Sequence, residues 1–152
     1  MESPQDVGVH VEASPQDVWA LLSDITRMGE WSPECVRCRW IGQEREARPS
    51  ARFRGTSRNG WHRWSTTSTI VEADAGRSLV FDVSYFGRPV ARWAYRFEAD
   101  GRGTTVTESV EDRRRMGLRL VSPFVTGSRD RAARNAASMH TTLERLKAVA
   151  EA

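Results

Sequence analysis

The sequence predicts an α+β domain in which an antiparallel sheet curves around one long helix at its C-terminal end. Three observations predict it. A capped helix start at Ser14-Pro15-Gln16-Asp17 follows a first short strand, and Trp-, Tyr- and Thr-rich segments then alternate with turn signals from Cys35 to Asp112. Beyond them Ala132, Ala136, Met139, Leu143, Leu146 and Ala150 recur at spacings of three and four, the period of a helix with one apolar face.

Along Asp6 to Glu12, Val7, Val9 and Val11 alternate with Gly8, His10 and Glu12, the period of a half-buried strand. Ser14 is a helix N-cap, Pro15 suits the first helical position, and Asp17 adds an acid to the first turn. Asp24 can cap a second short helix through Met28, which Gly29 ends, leaving Trp31-Ser32-Pro33-Glu34 as an irregular corner. Two short helices thus lie between strands 1 and 2.

Turn signals follow at Arg48-Pro49, Arg58-Asn59-Gly60, Asp74-Ala75-Gly76, Phe86-Gly87-Arg88-Pro89 and Asp100-Gly101-Arg102-Gly103, so the intervening strands form an antiparallel meander. Leu79, Phe81, Val83 and Tyr85 share one face, as do Trp93, Tyr95 and Phe97, with Asp82, Ser84, Arg92, Arg96 and Glu98 on the other. One sheet face is apolar and one is wet. The closing helix, read as starting between Thr126 and Ser128, must cover the apolar face, and Ala132, Ala133, Ala136 and Ala137 leave room for a cavity beneath it.

Composition excludes several classes of function. The chain has 152 residues, a length that suits one domain over 1–152, with 39% hydrophobic and 28% charged residues. No apolar run approaches the roughly 20 residues needed to cross a bilayer, and the opening segment lacks a secretory pattern, so the expected location is cytoplasmic and intact disulfides are not expected. The net charge is +3, Lys147 is the only lysine, and acids are interspersed with the arginines except at Arg113-Arg114-Arg115. No nucleic-acid partner is expected.

Cys35-Val36-Arg37-Cys38 has redox and metal spacing, but residues three apart on a regular strand point to opposite faces, and His10, His62 and His140 supply no clustered ligands. No metal site is expected. No serine-nucleophile elbow or phosphate-binding glycine loop occurs, so no nucleotide or other cofactor is expected. Glu108 shares a face with Val106 and Val110; it is either an exposed acid near a strand end or an inward one whose pKa rises.

At this point the chain resembles a family, the START-like (SRPBCC) helix-grip proteins, and within them the bacterial polyketide cyclase/dehydrase group. The resemblance is carried by Ala13-Ser14-Pro15-Gln16-Asp17-Val18-Trp19, Gly29-Glu30-Trp31-Ser32-Pro33-Glu34, Gly103-Thr104-Thr105-Val106-Thr107-Glu108-Ser109 and Leu143-Glu144-Arg145-Leu146-Lys147, in that order. It implies a seven-stranded antiparallel sheet around the C-terminal helix and a cavity between them, but no single reaction.

The expected function is therefore binding of a small or medium hydrophobic, polyketide-, lipid- or quinone-like molecule. Trp31, Trp40, Phe53, Trp64, Phe81, Tyr85, Trp93, Ala136 and Met139 are the candidate ligand-binding residues. Trp61 and Trp64 differ in parity, so an unbulged strand cannot turn both inward; Thr66, Ser68 and Ile70 favour Trp64, and Val71 favours the other register. Thr66, Ser68, Asn135 and His62 are further polar candidates for orienting a ligand. One alternative is an aromatase/cyclase or dehydratase in which Tyr95, Glu108 and Arg63 orient substrate and move protons. Another is a lipid or quinone carrier touching the membrane through 113–125, where Met116, Leu118, Leu120, Val121, Phe124 and Val125 accompany the arginines. Both a monomer and a homodimer fit the pattern.

Overall fold

The computed structural model describes residues 5–127 and 130–152. One seven-stranded antiparallel sheet forms the body: β1 (Gln5–Val11), β2 (Cys35–Trp40), β3 (Arg52–Asn59), β4 (His62–Asp74), β5 (Ser78–Tyr85), β6 (Arg88–Ala99) and β7 (Thr104–Asp112). Its order is β1-β7-β6-β5-β4-β3-β2, so β2 to β7 are a meander and β1 is added beside β7. β1 and β2 are therefore the two edges.

Between these edges run α1 (Pro15–Ser23) and a 3-10 helix (Ile25–Glu30). Ser14 caps α1 by accepting from the Asp17 N–H, and Asp24 caps the second piece by accepting from Thr26 N–H, as the sequence expects. Trp19 Nε1 donates to the Ser78 carbonyl at 2.8 Å and ties α1 to β5. Gly103 is required where the β6–β7 turn passes the end of β1: a Cβ there would lie 2.2 Å from the Val11 carbonyl oxygen.

The C-terminal part departs from expectation. Met116–Thr126, read as a loop up to its last residue, is the helix α2, and Pro123 sits inside it. Pro123 is the eighth residue of this eleven-residue helix, so it removes a single intrahelical bond, the one its N–H would have made to the Arg119 carbonyl. Gly127 closes α2 in the left-handed conformation (φ 73°), its N–H bonded to the Pro123 carbonyl, and Asn59 Nδ2 donates to the Thr126 carbonyl at 2.7 Å. α3 (Arg131–Ala150) begins at Arg131, after Asp130 caps it through the Ala133 N–H, rather than between Thr126 and Ser128; position 128 lies outside the described residues.

Met139, Leu143 and Leu146 of α3 are buried; in full, such burial contributes about 1.5–3 kcal/mol per side chain. Met139 packs with Ala91, Val110 and Val7, while Leu143 and Leu146 join the main core with Val11, Leu79, Phe97 and Val106. Lys147 Nζ donates to the His10 carbonyl at 2.7 Å, and Glu12 N–H to Glu151 Oε2 at 2.8 Å, so the helix end is pinned to β1. α3 thus leans on the β1–β7 flank, and a space opens between it and strands β3 to β6.

Candidate functional site: a polar-based cavity under the closing helix

That space is a cavity of about 190 Å3. Its sheet wall is built by period two: Phe53 and Gly55 from β3, Trp64, Thr66 and Ser68 from β4, Phe81 and Val83 from β5, Ala91, Trp93 and Tyr95 from β6, and Glu108 from β7. The aromatic rings form a ladder across the strands. Trp40 meets Phe53 edge-on at 5.9 Å, Phe53 meets Phe81 edge-on at 5.3 Å, and Phe81 stacks with Tyr95 at 6.4 Å. Ser68, paired with Phe53 across β3 and β4, is small enough for the rings to meet over it.

At the end of the ladder Tyr95 and Glu108 are directly paired across β6 and β7, and the Tyr95 hydroxyl donates to Glu108 Oε2 at 2.6 Å. Glu108 is 2% exposed, and its other oxygen, Oε1, has no hydrogen-bond partner among the described residues. Burial pushes the Glu108 carboxyl up to about 8, against the opposing pull of the Tyr95 hydrogen bond. Burial also raises Tyr95 well above the usual phenol range, helped by the Glu108 charge and hydrogen bond. Near neutral pH this is a protonated acid beside a neutral phenol. With Oε2 occupied by the phenol, Oε1 is the carboxyl atom left to donate to, or accept from, something in the cavity.

Two ion pairs frame the other walls. Arg131 donates to Glu34 at 2.5 Å, joining the start of α3 to the corner before β2, and its guanidinium lies over Trp64 at 6.0 Å from the ring centre. Arg114 pairs with Asp112 at 2.7 Å and donates to Ser122 Oγ of α2 at 3.0 Å. Burial works against the Asp112 charge but is outweighed by Arg114 and Arg119, which hold this carboxyl below its usual range.

A protein-family model described as polyketide cyclase/dehydrase and lipid transport matches residues 6–151. The chain belongs to this family. Its fold is the helix-grip fold of solved relatives. A protein from Chromobacterium violaceum, 13% identical, matches with a TM-score of 0.72 over 99% of both chains. The di-domain ARO/CYC StfQ of the steffimycin biosynthetic pathway, 15% identical, matches with a TM-score of 0.75 over 97% of this chain and 50% of its own. A Polyketide_cyc-like protein from Corynebacterium glutamicum, 29% identical, matches with a TM-score of 0.60 over 97% of this chain and 88% of its own. No curated protein matches.

Within this family member the structure brings together Tyr95, Glu108, Phe53, Trp64, Phe81 and Trp93, all named from sequence, along with the polar candidates Thr66, Ser68 and Asn135. It places Trp64 at the cavity and leaves Trp61 91% exposed at the β3–β4 turn. Six expected site residues lie elsewhere. Arg63 is exposed, because β4 turns its even positions inward and its odd neighbour outward. Trp31 is 1% exposed in the main core, with Arg27 over its ring, and Trp40 stands behind Phe53. Tyr85 lies past a register shift between Val83 and Ser84, and packs edge-on against the exposed Phe86 at the hairpin tip. Ala136 and Met139 are not in the wall: α3 presents Arg131, Asn135, Ser138 and Thr142 to the cavity, a stripe centred about 70° around the helix from Met139. His62 sits beside Gly127, whose Cβ would lie 2.6 Å from its ring nitrogen, at the joint between the β3–β4 turn and α2.

Two further expectations are corrected. The register shift between Cys35 and Arg37 places both Cys35 and Cys38 in the cavity wall, with Sγ atoms 3.5 Å apart, so the parity argument that separated them fails. The arginine run is largely matched by acids: Arg113 pairs with Glu111, and Arg114 and Arg119 with Asp112. Sequence reasoning named Asn135 but missed its companions Arg131, Ser138 and Thr142, although their spacings of three and four are visible beside the apolar stripe.

Proposed function

We propose that this protein binds one small, mainly apolar molecule bearing a carbonyl or hydroxyl group, held against the aromatic ladder with its oxygen at Glu108. The observation that carries the reading is Glu108 buried in the cavity wall, with one oxygen taken by Tyr95 and the other unpartnered among the described residues. A buried polar atom without a partner costs on the order of 1–3 kcal/mol, and a ligand oxygen there would recover it. The volume of about 190 Å3 lies below the roughly 300–1,000 Å3 of drug-sized pockets, which favours a one- or two-ring molecule over an extended chain.

Native mass spectrometry of the purified protein, with extraction of anything bound, tests this directly. Titration with 2-acetylnaphthalene, two rings and one ketone, completes it. Saturable quenching of Trp64 and Trp93, weakened about tenfold in Glu108→Leu, is expected from loss of the hydrogen-bonding group. An empty protein that gives no saturable quenching refutes the proposal.

The same acid favours a second reading, cyclisation or dehydration of a polyketide-like substrate. Glu108 would protonate a ketone or leaving hydroxyl, and Tyr95 would orient it. Retained turnover of a poly-β-ketone by the Tyr95→Phe, Glu108→Gln double variant would remove this assignment. A carrier reading of the same cavity is supported by α2, where Met116, Leu120, Val121 and Phe124 are exposed next to Arg115.

A further inference from the structure

Cys35 opens β2 at the edge of the sheet, and Cys38 lies three residues on, paired with Gly55 of β3. On an unbulged strand their side chains would diverge. The register shift after Cys35 rotates the strand start, so both thiols face the cavity and their sulfurs touch at 3.5 Å. Gly55 makes the room, since a Cβ there would meet Cys38 Sγ at 3.4 Å, and Met28 Sδ lies 3.7 Å from Cys38 on the other side. Both cysteines are free thiols. Nothing in the ligand-binding reading uses them.

We propose that Cys35 and Cys38 form a redox-active dithiol in the cavity wall, closed to a disulfide by a small hydroperoxide and reopened by a thiol reductant. Three features of the site support it. The sulfurs need to approach by only about 1.5 Å to reach bonding distance, and they sit on an edge strand whose ladder is with β3 alone, at a point where that ladder is already irregular. The cavity gives a small oxidant a route to them. The two thiols are unequal: the hydrogen bond from Cys38, opposed by burial and helped by the Arg37 backbone, lowers the Cys35 thiol, while donation to Cys35 together with burial raises Cys38.

Cys35 is also partly exposed where Cys38 is buried, so Cys35 is the attacking thiolate that meets the oxidant and Cys38 the resolving thiol. In the first step the Cys35 sulfur attacks a peroxide oxygen; an S–O bond forms, the O–O bond breaks, and hydroxide leaves to become water with the proton Cys35 released. In the second, Cys38 sulfur attacks the Cys35 sulfenic acid; an S–S bond forms, the S–O bond breaks, and the hydroxyl leaves as water with the Cys38 proton. Two thiols lose two electrons, and one hydrogen peroxide becomes two waters. Contact between the sulfurs lets Cys38 intercept the sulfenic acid before further oxidation. A dithiol closed only on exposure to oxidant is compatible with a reducing compartment.

The test is hydrogen peroxide added to the purified, reduced full chain, with thiol counting, intact mass and peptide mapping. The expected result is loss of both thiols, a fall of about 2 Da, a Cys35–Cys38 cross-linked peptide within a monomer, and recovery on adding dithiothreitol. Cys38→Ser is expected to stop at a sulfenic acid on Cys35 that dimedone traps, and Cys35→Ser to react at least about tenfold more slowly. Retention of both thiols at millimolar peroxide, a direct gain of about 32 Da, or disulfides only between chains overturns the proposal. The wild-type mapping stands by itself should either variant fail to fold.

Discussion

Replacing Glu108 by Gln should make the protein more stable, and the gain should depend on pH. The carboxyl has an ordinary value of 4.5 and is pushed up to about 8 by burial. Between those limits the unfolded chain has released this proton and the folded chain still holds it, so raising the pH draws the equilibrium toward unfolding. The slope approaches about 1.4 kcal/mol per pH unit for one such group. Below about pH 4.5 both states are protonated and the effect vanishes. It reaches about 3 kcal/mol at pH 7 and levels off near 5 kcal/mol above pH 8. Gln keeps the shape and can still accept from the Tyr95 hydroxyl, but it has no proton to lose. Urea unfolding of ligand-free wild type and Glu108→Gln, followed by tryptophan fluorescence at pH 5, 6, 7 and 8, should show two stability curves that diverge as pH rises. Curves that stay parallel would show that Glu108 ionises as freely in the folded protein as in the unfolded chain, and the reasoning behind the proposed donor would fail with it.

Ser138→Leu should fill the cavity from the helix side and lower affinity for 2-acetylnaphthalene at least about tenfold, whereas Ala136→Leu, outside the wall, should leave it within about twofold; equal losses would contradict the helix orientation. Gly103→Ala brings a methyl group to within 2.2 Å of the Val11 carbonyl and should cost at least about 2 kcal/mol in urea unfolding, by forcing the β6–β7 turn off the end of β1. Leu120→Asp with Phe124→Asp should abolish co-sedimentation with phosphatidylserine-containing vesicles while changing stability by no more than about 0.5 kcal/mol per site, since both side chains are exposed; binding that persists would assign any membrane contact to another surface.

Where local pattern governs, the sequence is easily read. Ser14 and Asp24 cap where their side chains predict, because a cap is settled by a few neighbouring residues. Period two on β6 puts Trp93 and Tyr95 in the cavity wall and Phe97 in the core on the same face, and on β7 it turns Glu108 inward with Val106 and Val110. The family motifs, spread from Ala13 to Lys147, fall within the residues that match the family. Reading fails wherever one extra residue or a rotation changes the phase. A bulge turns Cys35 toward Cys38, and another moves Tyr85 out to the hairpin tip. Pro123 hides α2, although the Gly127 end and the amphipathic run before it are present.

The sequence by itself determined the order of the strands and the closing helix, the Ser14 and Asp24 caps, and the apolar face of the sheet wherever no bulge intervenes, since each follows from the chain's own dihedral preferences and a period of two or 3.6. Only the tertiary structure decided which face of α3 meets the ligand space and which meets β1 and β7. The Met139, Leu143 and Leu146 stripe is taken up by packing on that flank, so the cavity receives the neighbouring stripe of Arg131, Asn135, Ser138 and Thr142. Tertiary pairing also brought Tyr95 across to Glu108 and buried both, and burial, outweighing the opposing pull of the Tyr95 hydrogen bond, makes an ordinary carboxylate a neutral donor.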